Sequence, residues 1–164
     1  MFKIKLLTLL FSIIAFIGCS SNFTNTTKNK VALDYISGEE DGLVLKNQMM
    51  SYLQSYGLFD PHSNFIIYAN INHKTKAFIT KIDNTSDRIN VRSSLKVNIK
   101  DNSRDCIVFR YDDFEEQFYI SASSTKHLSN KKAQTKIKNN NTEILTRNFI
   151  HELHNTDLIC LNEQ

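Results

Sequence analysis

From Arg88 to Lys100 the chain alternates in strict period two. Ile89, Val91, Ser93, Leu95, Val97 and Ile99 fall on one side; Arg88, Asn90, Arg92, Ser94, Lys96, Asn98 and Lys100 fall on the other. Successive side chains of a strand point to opposite faces, so this stretch predicts a long strand with one apolar and one polar, basic face. Asp83 to Ser86 predicts the turn before it and Asp101 to Arg104 the turn after it. Cys106 to Tyr111 then returns antiparallel, extending through Phe118 to Ser121. Asp112-Asp113 and Glu115-Glu116 interrupt that return and predict a bulge or a short loop.

The other elements assemble around this strand. Val31 to Ile36 predicts a short first strand. Ser37 lies three residues before Glu40, with acids ahead of an apolar period, which is a helix N-terminus signature. The helix runs from about Asp41 to Tyr56, with Leu45, Met49, Leu53 and Tyr56 on one face and Gly57 as a left-handed C-cap. Asn64 to Ile71 predicts a strand, and Lys76 to Ile82 its continuation or the start of a turn. From about Lys126 to Leu153, Ala133, Ile137, Ile144, Leu145, Phe149 and Leu153 recur at helical spacing. Asn139-Asn140-Asn141 leaves open whether this is one helix or two, with Asn140 as the cap of a second. The order is β-α-β-β-β-α: an α+β domain, a four-stranded mainly antiparallel sheet with two helices on one side.

Ahead of the domain, Lys3 and Lys5 precede an apolar run from Leu6 to Ile17, followed by Gly18-Cys19. The run is shorter than the roughly 20 residues that span a bilayer core. It resembles a bacterial lipoprotein signal, with Phe16 where leucine is usual, which implies processing before Cys19 and lipid on its sulfur. The alternatives are an ordinary signal peptide or an N-terminal membrane helix. Residues 1–18 are then the signal, 19–30 a polar tether and 31–164 a single domain. By analogy with enteric lipoproteins, Ser20 is compatible with outer-membrane sorting.

Removing 18 of the 164 residues, with Lys3 and Lys5 among them, leaves 18 basic against 17 acidic residues. A charge of +1 argues against a general nucleic-acid binder. Outside the cytoplasm, Cys106 and Cys160 are free to form a disulfide closing a long loop, or to remain two small buried side chains. After the signal, the glycines are Gly38, Gly42 and Gly57. The chain therefore has neither a phosphate-cradling glycine loop nor a nucleophile elbow, and we expect no enzyme and no cofactor. His151 and His154, with Cys160 nearby, read as a solvated helix end rather than a metal site.

Two basic features remain. One is the stripe Arg88, Arg92, Lys96, Lys100 on the long strand. The other is the cluster Lys126, Lys131, Lys132, Lys136, Lys138. Cations on a rigid face suit an anionic partner, because charge-assisted contacts to phosphate are strong; the alternative is a solvated face.

The lipobox ending at Cys19, the element order, the Asp87-Arg88-Ile89-Asn90-Val91 entry into the long strand and the basic last helix resemble the outer-membrane lipopolysaccharide-assembly lipoprotein (LptE) family, in its alphaproteobacterial style. The resemblance implies a protein held in the outer membrane by lipidated Cys19, on the periplasmic side or in a barrel lumen. It implies an LptD-type β-barrel as the partner that this chain plugs and helps to assemble. It also implies lipopolysaccharide as the ligand, contacted by basic residues near the strand 2–3 turn; Lys81, Arg88, Arg92 and Lys96 are the candidates here. A different class of reading is a lipid-anchored scaffold or interaction module of another envelope complex, without a glycolipid.

Overall fold

The computed structural model describes residues 30–79, 86–121 and 127–161. Cys19, Lys81, Lys126 and residues 83–85 of the turn expected at 83–86 lie outside them, and Ser86 is already in the third strand. The elements are β1 (Ala32–Ser37), α1 (Glu39–Ser55), β2 (Phe65–Ile79), β3 (Ser86–Asp101), β4 (Cys106–Ile120) and α2 (His127–Asn155). They form one four-stranded sheet in the order β1-β2-β3-β4. β1 pairs parallel with β2 through the α1 crossover, and the other pairs are antiparallel. Both helices contribute side chains to one core against one face, as the α+β reading expects.

The long strand runs its full expected course, and its partners are equally long. β2 is one continuous strand, so Lys76 to Ile79 is sheet rather than turn. The acidic residues do not interrupt β4, which pairs with β3 from Arg88↔Ile120 to Ile99↔Phe109; its only irregularity lies at the other end, between Ile99 and Lys100. Asp112 and Glu116 stay in the strand because β3 places Lys96 and Arg92 directly opposite them. Strands of 15 residues are about 50 Å long. The sheet therefore has a near end, at the β3–β4 turn, and a far end, where β2 leaves and β3 begins.

α1 starts differently from the expected capping box. Ser37 is still in β1, where its hydroxyl accepts from the Asn70 amide. The N-cap is Gly38 at φ 125° with no side-chain cap, followed by Glu39 at φ 51°. A left-handed turn reverses the chain there, and only glycine enters that region without strain. Gly42 is the second requirement: a Cβ on it would stand 2.9 Å from the Ser37 carbonyl oxygen. Gly42, Leu45, Met49 and Leu53 form the buried face. Tyr56 instead caps the helix and is exposed. Gly57, at φ 68°, takes the left-handed position, while Leu58 N–H returns to the Leu53 carbonyl at 2.8 Å.

α2 is a single helix of 29 residues. Asn140 is no cap, and the asparagines are mid-helix; Asn141 is fully buried, its amide turned into the sheet. Leu145, Phe149, Ile150 and Leu153 meet Leu45, Met49, Leu53, Ile67, Leu95, Ile99 and Phe109 in one apolar core over the near half of the sheet. Phe149 sits at its centre, edge-on to Phe109 and Tyr111 at 6.0 and 5.6 Å between ring centroids. Burial and the neighbouring Asp113 carboxylate push the Tyr111 phenol well above its usual pKa. At the near end Cys106 and Cys160 are disulfide-bonded, with Cα atoms 5.7 Å apart. This ties the tail after α2 to β4. The β3–β4 turn is held by buried Asp101, which accepts from Ser103 N–H and Oγ and from Arg104 Nε at 2.8, 2.6 and 2.6 Å. These bonds hold its carboxyl at a pKa of about 2.

Candidate functional site

Register turns the outer sheet face, away from the helices, into rows across β2, β3 and β4. From the far end inward they are Phe78–Arg88–Ile120, Lys76–Asn90–Phe118, Lys74–Arg92–Glu116, Asn72–Ser94–Phe114 and Asn70–Lys96–Asp112. Three of the sequence candidates, Arg88, Arg92 and Lys96, therefore share one face, and Lys81 lies outside the described residues. They do not share one environment. Lys96 pairs with Asp112 at 2.9 Å and Arg92 with Glu116 at 3.1 Å, while Lys100 pairs with Asp105. The stripe that looks purely basic along β3 meets an acidic one on β4. Water and salt screen these exposed pairs, so each adds little to stability, but they offset the positive field of the strand.

The far rows depart from this balance. Arg88 lies over the Phe118 ring at 4.3 Å, Arg92 over Phe114 at 3.7 Å, and Lys76 near Phe78 at 5.4 Å from the centroid. The ring quadrupole attracts each cation and fixes where its charge sits. Phe78, Arg88, Asn90, Glu116 and Phe118 line a cleft of about 340 Å³. Sequence reasoning missed the aromatic part of this site, although Phe114, Phe118 and Ile120 fall on one parity of β4.

The same end carries the N-terminal half of α2. Gln134 donates to Thr75 at 3.0 Å, Asn140 to Gln117 at 3.2 Å and Asn130 to Ser121 at 3.3 Å, which docks the helix along the sheet. Its outer side has a groove of about 530 Å³ lined by Leu128, Lys131, Lys132, Thr135, Lys136 and Asn139. Lys138 reaches Asp41 at 3.1 Å, whereas Lys131, Lys132 and Lys136 have no carboxylate partner among the described residues.

Between these surfaces lies a buried polar network. Asn141 Nδ2 approaches the Val91 carbonyl, Ser93 Oγ and the Glu115 carbonyl at 3.1, 3.0 and 3.3 Å. Ser93 Oγ is 2.7 Å from His73 Nδ1, and His73 Nε2 faces Asp41 Oδ2 at 3.9 Å. Ser93 Oγ accepts from Asn141 and, with a second lone pair and its own proton, serves either tautomer of the His73 ring at Nδ1. Burial lowers the His73 pKa; Asp41 opposes this and Lys138 reinforces it. Serine, histidine and aspartate in series match a nucleophilic triad only in composition. Ser93 is fully buried beneath Asn141, and 3.9 Å exceeds a hydrogen bond, so the network joins α1 and α2 to the sheet.

At the near end, the disulfide leaves Cys160 without a thiolate to join His151 and His154, and His154 lies edge-on to Tyr56 at 6.0 Å. Among the described residues no group of three metal-ligating side chains occurs.

No family model and no curated protein sequence matches this chain. Its structure is similar to that of a minor lipoprotein from Acinetobacter baumannii, at 13% identity and a TM-score of 0.60, covering 82% of this chain and 97% of that one. It is also similar to rare lipoprotein B from Shewanella oneidensis, at 8% identity and a TM-score of 0.58, covering 77% and 94%. At these identities the likeness is one of fold: this chain has the α+β architecture seen in two bacterial lipoproteins.

Proposed function

We propose that the chain is an outer-membrane lipoprotein of the lipopolysaccharide-assembly (LptE) type. Cys19 carries the lipid and residues 20–30 tether the domain. The domain plugs an LptD-type β-barrel and binds lipopolysaccharide on its way to the outer leaflet. It acts by non-covalent contact, with no cofactor and no catalytic residue.

The observation that carries this reading is the charge imbalance at the far end. On the outer face Lys74, Lys76 and Arg92 share one carboxylate among the described residues, Glu116, and Arg88 adds a guanidinium stacked on Phe118. Lys131, Lys132 and Lys136 add three more cations on α2. Phosphate groups of a glycolipid supply the balancing negative charge, and guanidinium takes them with directed hydrogen bonds. Nearer the β3–β4 turn the cross-strand pairs make the outer face polar and close to neutral, which suits the polar lumen of a barrel.

The test is recovery of the tagged, lipidated protein from outer membranes in mild detergent, with its partners identified by mass. A stoichiometric barrel is the expected result; a different envelope complex replaces this reading with the scaffold one. Arg88→Gln with Arg92→Gln lowers lipopolysaccharide affinity by roughly tenfold or more, the scale of one or two lost charge-assisted contacts, and leaves the circular dichroism unchanged. Unchanged affinity in the folded double variant removes both residues from the site.

A further inference from the structure

The far end of the outer face is apolar as well as cationic. Phe78, Phe114, Phe118 and Ile120 are exposed by 41%, 50%, 57% and 76%. Single exposed apolar residues are ordinary, but four large ones gathered on one end of one face mark a surface that is covered in use. They are interleaved with Lys76, Arg88 and Arg92, so the occupant has an apolar part and an anionic part within a few ångströms of each other.

We infer that this surface seats an acyl chain of a single anionic amphiphile, with the hydrocarbon along Phe78, Phe118 and Ile120 and the phosphate at the rim, on Arg88 and Arg92. The inference deepens the glycolipid reading by assigning the acyl part of the ligand to this cleft. Two observations and one physical argument favour a hydrocarbon over a sugar ring. A sugar stacks on an open aromatic face, whereas guanidinium groups already lie over Phe114 and Phe118. Ile120, the most exposed of the four, has no ring to offer. Hydrocarbon burial is non-directional, so ring edges and an aliphatic side chain serve it equally well. The stacked cations, Arg92 also paired with Glu116 at 3.1 Å, meanwhile hold positive charge beside the apolar cleft, where the phosphate of an amphiphile ends up once its chain lies on the rings.

The experiment is calorimetric titration of the purified protein with octyl, decyl and dodecyl phosphate below their micellar concentrations, with inorganic phosphate and neutral dodecyl maltoside as controls. Full burial strengthens binding by about fourfold per methylene, and on this open surface a gain of about twofold per methylene is expected. Phe118→Ser with Ile120→Ser, both exposed and outside the core, flattens the chain-length dependence. Arg88→Gln with Arg92→Gln weakens every alkyl phosphate by a similar factor and preserves the dependence. No gain with chain length in the unaltered protein overturns the inference. So does a gain that survives the Phe118→Ser, Ile120→Ser double variant, and so does binding to anionic vesicles without binding to monomeric alkyl phosphates. The outcome is separate from that of the barrel pull-down: a chain-length gain without a barrel sinks the plug and keeps the acyl seat, and a barrel without the gain does the reverse.

Discussion

At the near half of the sheet, Ile67–Ile99–Phe109 and Ala69–Val97–Tyr111 face the helices, and on the opposite face Lys96 and Lys100 pair with Asp112 and Asp105, with Arg110 across from Asn98. At the far half the inner rows carry His73 and Ser93 in place of aliphatic residues, and the outer rows carry phenylalanines topped by cations. Apolar side chains thus line the inner face along the whole of β3, Ile89 and Val91 included, and the far end adds a second apolar set on the outer face. The near half is organised for stability. The far half gives up core to hold a surface, which is the distribution expected when recognition sites sit in the less stable parts of a fold.

The largest effect that distinguishes the halves is truncation of the core. Phe149→Ala removes a fully buried ring that packs on Phe109 and Tyr111 and lowers unfolding stability by about 3–5 kcal/mol. Phe118→Ala, at the far end, removes a ring of the same size from a surface that is 57% exposed and lowers stability by no more than about 1 kcal/mol. Urea unfolding of the two variants measures both. Similar losses mean that the far half is part of the same cooperative core.

How much of this was legible in the sequence depends on whether a feature is local. The alternation of β3 and the Gly57 cap are local, and both appear where the residues place them. The acids of β4 look like a loop when β4 is read alone; they belong to a strand because Lys96 and Arg92 lie across from Asp112 and Glu116. Asn141 looks like a helix break because asparagine competes with the backbone for hydrogen bonds. Here its amide is occupied by Val91, Ser93 and Glu115, on strands 26 to 50 residues away. The candidate site is affected in the same way. Arg88, Arg92 and Lys96 were identifiable as one basic face, but their counter-ions and aromatic partners come from β4 and depend on register, which no single segment encodes.

Acid sensitivity is the next effect in size, and it is assigned to the buried network beneath the far half. His73 is held neutral by burial, with Asp41 on α1, Ser93 on β3 and Lys138 and Asn141 on α2 around it. Its folded pKa lies below the ordinary value, so below about pH 6.5 the unfolded chain takes up the proton more readily than the folded one. The contribution is complete above that pH and falls as pH drops toward the folded pKa, with a limiting slope of about 1.4 kcal/mol per pH unit. Stability curves between pH 7 and 5 for the unaltered protein and for His73→Gln check this. An unchanged slope in the variant places the sensitivity elsewhere. Amide exchange near Thr75 and Gln134 that rises with acid, while that around Phe149 does not, locates it in the far half.

The smallest effect tests where the cationic surface ends. Lys96 carries the same charge as Arg92 and lies two rows nearer the β3–β4 turn. Each has a carboxylate across the strand, Asp112 at 2.9 Å and Glu116 at 3.1 Å, but among the described residues only Arg92 of the two is stacked on an aromatic ring. Lys96 and Asp112 are both more than half exposed, so water and salt screen the pair and a double-mutant cycle of Lys96→Ala with Asp112→Ala gives a coupling of about 0.5 kcal/mol or less. Loss of the lysine then affects lipopolysaccharide and alkyl phosphate binding by less than about twofold, a change of the same small size in free energy. A tenfold loss at Lys96, equal to that at Arg88 and Arg92, would mean that the anion contacts the whole β3 stripe, whether or not a ring is stacked on the cation. A loss confined to the far rows places the boundary between Arg92, whose guanidinium lies over a ring as well as beside Glu116, and Lys96, whose ammonium is paired with Asp112.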